Sequence, residues 1–190
     1  MADQSKELIP DNKLVKRVLK GDGRAFEMLI KKYQKRLYFT IRKMLGSHDD
    51  TDDVLQETFI KAYNRLDSYK ETYPFYPWLH RIAINTAINF SRKNSTRKES
   101  SLDGMLEEGN PGPGYHRNPH HELERIELTE HVKIAIENLP IDQKAVFLLR
   151  TSDGLSYEEI SEQLNISMGT VMSRLSRARD KLRKQLRGYL

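Results

Sequence analysis

Apolar side chains along this chain recur at three- and four-residue steps almost throughout. Phe26, Leu29, Ile30, Tyr33, Leu37, Ile41, Met44 and Leu45 trace one face of a long helix, and Gly46 follows as its stop. A shorter helix over 13–20 closes at Gly21. The next, over about 50–66, runs through Val54, Leu55, Phe59, Ala62 and Leu66, and another carries Trp78, Leu79, Ile82, Ala83, Thr86 and Phe90. Pro77 fits the first turn of the latter, where its missing amide would be unpaired anyway. Sustained two-residue alternation is absent, so the pattern predicts an all-α fold.

The periodicity stops near Asn94. Asn94, Ser95, Ser100 and Ser101 give way to Gly109, Asn110, Pro111, Gly112, Pro113, Gly114 and Pro119, a density of helix breakers that predicts a flexible linker up to about 121. Helical spacing resumes with Leu123, Ile126, Val132, Ile136 and Leu139, then Val146, Phe147 and Leu149 after Pro140. Two small helical domains are expected, one on each side.

The last segment, LSYEEISEQLNISMGTVMSRLSRARDKLRKQL, has internal punctuation. Ser156 and Glu159 form a capping box ahead of a helix that turns Ile160 and Leu164 inward. Asn165 and Ile166 make a tight break, and Ser167 caps a second helix with Val171, Leu175, Ala178 and Leu182 on its inner face. Two short helices around a tight turn, the second rich in Arg, predict a helix-turn-helix whose second helix enters a DNA major groove. Met172, Ser173, Ser176 and Arg177 fall on its exposed side with Arg174 beside them. Arg to guanine is the commonest specific contact there, worth ~1–3 kcal/mol of discrimination.

Composition narrows the class. The 190 residues carry 32 Lys plus Arg against 27 Asp plus Glu, and no cysteine, which excludes disulfides, thiolate zinc sites and a cysteine nucleophile. The N-terminal stretch MADQSKELIP lacks a signal-peptide core, and no apolar run approaches the ~20 residues that span a bilayer, so a soluble, cytoplasmic protein without membrane insertion is expected. Positive charge is concentrated over 13–43 and from Arg174 onward, suggesting two contacts with a polyanion. The acids Asp49, Asp50, Asp52 and Asp53 lie between those basic regions and open a helix, where carboxylates suit its dipole. Gln56 and Glu57 prolong that polar face beyond the first turn, which fits a basic protein surface as well as mere solvation.

Beyond it come Tyr69, Tyr73, Phe75, Tyr76 and Trp78, then His80, Arg81, Asn85 and Asn89. Trp78 is expected in the core. Tyr69 to Tyr76 occupy a proline-containing loop, and exposed rings beside Arg and Asn can stack and read unpaired bases at ~1–3 kcal/mol per base. Core packing of those rings is the competing expectation.

Taken in order, DDTDDVLQETFIKAYNRLDSY, FYPWLHRIAINTAINFSRK and LPIDQKAVFLLRTSDGLSYEEISEQLNISMGTVMSRLSRAR resemble the extracytoplasmic-function (group 4) sigma factors of the sigma-70 family. The resemblance implies a transcription initiation factor that binds bacterial core RNA polymerase and directs it to promoter DNA. Residues 9–93 would be region 2, 94–122 a flexible linker and 123–190 region 4. Asp50, Asp52, Asp53, Gln56 and Glu57 would meet the beta-prime clamp coiled coil, with the beta flap as a second polymerase contact. Tyr69, Tyr73, Phe75, Tyr76, Arg81 and Asn85 would take the melted −10 strand, capturing a flipped base. Thr170, Met172, Ser173, Arg174, Ser176, Arg177 and Arg179 would read the −35 duplex. An anti-sigma factor is implied as a further partner. Met172 and Ser176 stand where the family often has a basic and a bulkier residue, Pro77 where it often has a small polar one. The linker acids Glu99, Asp103, Glu107 and Glu108 fit either a nucleic-acid mimic inside polymerase or a plain tether.

Two other classes compete. One is an autonomous helix-turn-helix regulator, which has no need of the acidic helix and aromatic loop in that order. The other is an enzyme. His116, His120, His121 and His131 with Glu122 or Glu124 could be drawn as a metal site, but they straddle a Pro/Gly segment and lack a fixed helical pair. With no P-loop or nucleophile elbow either, the chain is expected to have no catalysis, cofactor or metal of its own.

Overall fold

The computed structural model describes residues 9–100 and 121–189. Among them the chain forms helices α1 (Asp11–Leu19), α2 (Gly23–Leu45), α3 (His48–Asn64), α4 (Phe75–Ser100), α5 (His121–Glu137), α6 (Ile141–Thr151), α7 (Tyr157–Leu164) and α8 (Met168–Gln185), with a 3-10 turn at Leu66–Ser68 and no strand. The backbone divides into two compact units between residues 87 and 88.

In the first unit α2 packs against α1 and α3. Its core stripe is the one the spacing requires: Ala25, Leu29, Tyr33, Leu37, Ile41 and Met44 are all buried, against Leu14, Val15 and Val18 of α1 and Val54, Phe59 and Ala62 of α3. Each such large side chain taken from water contributes roughly 1.5–3 kcal/mol. Local chemistry sets the helix ends. Asp22 caps α2 by accepting from the amides of Arg24 (3.1 Å) and Ala25 (3.3 Å), and Gly46 closes it at φ 78. The Arg17 side chain, bonded to the same Asp22 carboxylate at 2.9 Å, holds its pKa below the usual value. Ser47 then caps α3 through the Asp50 amide at 3.3 Å.

In the second unit α8 packs on α5, α6 and α7 around Ala135, Leu139, Val146, Leu149, Ile160, Val171, Leu175 and Ala178. The Ser156–Glu159 capping box is formed in both directions, at 3.1 and 2.7 Å. Asn165 turns the chain at φ 52, a left-handed conformation that Asn tolerates better than most residues. Ser167 starts α8 by accepting from the Thr170 amide at 3.2 Å.

One boundary differs from the expectation. The helix carrying Trp78 continues through Asn94 to Ser100 instead of yielding to linker at Asn94. The Ser95 hydroxyl donates to the Ser91 carbonyl at 2.8 Å and that of Thr96 to the Arg92 carbonyl at 3.1 Å, so these small polar residues are satisfied along the helix. The Pro/Gly stretch, with Asp103, Glu107, Glu108, His116 and His120, lies outside the described residues, as do the side chains of Glu99, His121, Glu122 and Glu124.

Candidate nucleic-acid and protein interfaces

Helix α3 turns Val54, Thr58 and Ala62 inward, which leaves Asp52, Asp53, Gln56 and Glu57 exposed and Asp50 half-buried at the capped end. The acidic face is real but tempered. Lys61 bridges to Glu57 at 2.7 Å and reaches the Thr86 hydroxyl at 3.4 Å. Ile60 and Tyr63 are also exposed on this helix, an apolar addition that charge patterning did not single out. Its signal in the sequence is that both stand off the buried stripe. Exposed apolar residues beside the acids of this face make a surface suited to a partner protein.

The aromatic segment is a ring cluster. Phe75 lies 5.3 Å from Tyr69, 5.4 Å from Trp78 and 5.8 Å from Tyr33, centroid to centroid. It is 2% exposed, so its assignment to direct base contact is corrected: it supports the other rings. Trp78, expected in the core, is half-buried between Tyr69 and Phe75. Tyr69 and Tyr76 are also half-buried, and Tyr73 alone of the group stands out, at 67% exposure. The Tyr69 hydroxyl donates to the Tyr73 carbonyl at 2.5 Å and so fixes the loop that carries it.

Residues distant in sequence complete the cluster. Tyr33 of α2 donates to Asp11 of α1, whose carboxylate also holds Lys32 at 2.5 Å. Burial and then the Asp11 bond push the Tyr33 phenol far above its usual pKa, and burial raises Tyr69 too. His80 is buried beneath Tyr76, and the Arg36 guanidinium covers Tyr76 at 3.7 Å. Arg36 had no signal in the sequence, because only the α2–α4 packing brings it there. Arg81 is exposed, and Asn85, one turn on, is half-buried with its amide donating to the Arg81 carbonyl at 3.0 Å.

On α8, Met172, Ser176, Arg177 and Arg179 are exposed, while Thr170, Ser173 and Arg174 are half-buried. Thr170 belongs to the cap, with its hydroxyl 2.9 Å from that of Ser167. Arg174 reaches Asp142 at 3.4 Å, and Arg177 extends along the helix past Ser173. An open hollow of about 310 Å³ between α7 and α8 is lined by Tyr157, Met172, Leu175, Ser176, Arg179 and Arg183, with Asp180 paired to Arg183 at 3.1 Å. A projecting cationic helix with a hollow at its flank suits a DNA groove and its phosphates.

A family model described as Sigma-70 region 2 matches residues 29–97, and one described as Sigma-70, region 4 matches 134–182. The chain is 41% identical over 178 residues to the ECF RNA polymerase sigma-E factor of Escherichia coli (strain K12), covering 92% of this chain and 93% of that one. It is 38% identical to the protein of the same name from Haemophilus influenzae, over 95% and 97% of the two chains. Among solved structures it is similar to the sigma factor RpoE from Bartonella quintana, crystallised with the anti-sigma factor NepR, with TM-score 0.63 and 25% identity over 85% of this chain and 96% of that one. It is also similar to CnrH in complex with the cytosolic domain of CnrY, with TM-score 0.60 and 27% identity over 94% and 97%. Among the described residues no His/Asp/Glu group could hold a metal ion, and no helix is long and apolar enough to cross a membrane.

Proposed function

The chain belongs to the extracytoplasmic-function sigma factors, RNA polymerase subunits that direct promoter-specific initiation, and from that premise we propose how its surfaces divide the work. Helices α1–α4 do the work of region 2 and α5–α8 that of region 4, with the segment between as tether. The exposed face of α3, with Asp52, Asp53, Gln56 and Glu57 and with Asp50 at its capped start, docks on the beta-prime clamp coiled coil of core polymerase. Region 4 meets the beta flap. Tyr73, Tyr69, Tyr76, Arg81 and Asn85 take the melted −10 strand, with Phe75 behind them. Helix α8 enters the −35 major groove: Met172, Ser176 and Arg177 face the bases, Arg179 meets phosphate, and Thr170, Ser173 and Arg174 set the helix in place. An anti-sigma factor occludes one or both units, the chain works in the cytoplasm, and the chemistry of RNA synthesis belongs wholly to polymerase.

The observation that carries this is the separation of signs. An acidic face that DNA would repel occupies α3 of one unit, while α8 of the other projects Arg177 and Arg179 without a carboxylate partner among the described residues. An autonomous repressor needs only the second. The test is co-migration with sigma-free core polymerase on a sizing column, followed by mapping of transcript starts made by that holoenzyme. A stable 1:1 complex is expected. Asp53→Lys with Glu57→Lys should abolish it while leaving the helical content unchanged, and undiminished association would remove α3 from the interface.

A further inference from the structure

The buried stripe of α2 carries a hydroxyl at one place. Ala25, Leu29, Leu37, Ile41 and Met44 need no polar partner, whereas Tyr33, 8% exposed, brings its phenol into the core. That hydroxyl donates to Asp11, whose carboxylate also takes the Lys32 ammonium at 2.5 Å. Asp11 opens α1, where the amides of Lys13 and Leu14 donate to the Pro10 carbonyl at 3.0 and 3.2 Å and hold the helix start in place. On its other side the Tyr33 ring meets two rings of the −10 cluster, Tyr76 at 5.5 Å and Phe75 at 5.8 Å. Helix α1 is tied to the loop once more, by Lys16 to Glu71 at 2.9 Å. Both of those side chains are well exposed, and such pairs contribute little. The Asp11 bond is the stronger tie, because its acceptor is charged and its donor is shielded from water.

A buried phenol needs an acceptor, and that need alone would account for Asp11. Phenylalanine would fill the same volume without it, however. What the hydroxyl adds is a fixed direction for the ring on which Tyr76 and Phe75 rest. We propose that Asp11 is a positioning residue for −10 strand capture: through Tyr33 it sets the inner side of the ring cluster, so that Tyr76 stands ready for an unstacked base. The inference rests on the assignment of the −10 strand to that cluster. Planes set before the base arrives spare the ordering that would otherwise draw on affinity. The Lys32 ammonium offsets the charge of the Asp11 carboxylate, which would otherwise repel the strand.

The test uses holoenzyme assembled from the full chain and fork DNAs from a promoter found by transcript mapping. One fork carries the intact non-template −10 strand, and the others each carry a single abasic nucleotide within it. The parent should lose most affinity on the fork that lacks the captured base. Asp11→Ala and Tyr33→Phe should each weaken the intact fork about tenfold, the low end for a bond to a charged acceptor. The pair together should be no weaker than either alone, since both remove one bond. On the fork without the captured base neither variant should differ from the parent, a selectivity that a merely destabilised unit would not show. Asp11→Glu keeps the acceptor and should recover part of the loss. Association with core polymerase and −35 preference should be unchanged throughout. Parent-like binding of the intact fork by Tyr33→Phe overturns the proposal, as does an equal loss by both variants on every fork, abasic ones included. In either case Tyr73→Ala and Arg81→Ala should still weaken the intact fork, which leaves the −10 assignment standing. If those two variants bind every fork like the parent, the −10 assignment itself fails.

Discussion

The two nucleic-acid surfaces of this protein are built in opposite ways. On α8 the working side chains project from a helix whose opposite side is core, so Met172, Ser176, Arg177 and Arg179 can be changed without disturbing Val171, Leu175 or Ala178. In the first unit the aromatic group folds in on itself, and only Tyr73 and Arg81 stand fully clear. Reading duplex needs projection into a groove, whereas holding an unstacked base needs planes fixed against one another. Function and stability are therefore separable in the second unit and coupled in the first.

The sharpest way to break that contrast is Phe75→Ala. Removing a buried ring costs roughly 3–5 kcal/mol, and Trp78, the single tryptophan, sits 5.4 Å away as a local reporter. Its fluorescence should shift and the first unit should unfold at a markedly lower temperature, with −10 strand binding lost alongside. A variant that melts normally yet fails on −10 DNA would mean that Phe75 contacts the base after all. Arg177→Ala is the counterpart on α8. Melting of the second unit, followed by far-UV circular dichroism, should be unchanged, while preference for one −35 base pair falls by about 1–3 kcal/mol. Unaltered discrimination across −35 sequences would leave Arg177 a phosphate contact.

The same contrast governs what the sequence disclosed. Helix α8 was legible because each of its signals is local: the Ser167 cap, the Asn165 turn and an inner face spaced at three and four. The all-helical fold and the core of α2 were legible for the same reason. Arg36, His80 and the burial of Phe75 were not, since each depends on α2 and α4 coming together from distant positions. The linker's start was misplaced for a subtler reason. Ser95 and Thr96 read as loop residues, yet their hydroxyls bond back to the preceding turn and let α4 run on. Ile60 and Tyr63 carry no charge, so the charge pattern of α3 does not disclose them, although both are exposed.

A local signal should also carry a local, moderate energy. Ser156→Ala removes one half of the capping box and should cost about 1 kcal/mol of stability in the second unit. Far-UV circular dichroism would show that loss as an earlier melt, with −35 preference retained. A loss as large as that of Phe75→Ala would mean that the turn before α7 is as tightly coupled as the ring cluster.

Among the described residues of the second unit a charged side chain is also buried, and it gives the smallest effect. Lys144 on α6 is 6% exposed, and burial lowers its pKa while Glu137 opposes the shift. With the folded value below the unfolded one, the unfolded chain binds the extra proton between them, so this group makes stability rise as pH climbs through that window. At neutral pH the cost of burying the charge is present in full. Lys144→Met keeps the length of the side chain and removes the charge, so the variant should be slightly more stable than the parent at pH 7. Its advantage should shrink as pH approaches the ordinary lysine value. Denaturant unfolding of both proteins at several pH values measures that difference directly. A constant difference, or none, would mean that Lys144 keeps its charge without penalty through its surroundings, Glu137 among them.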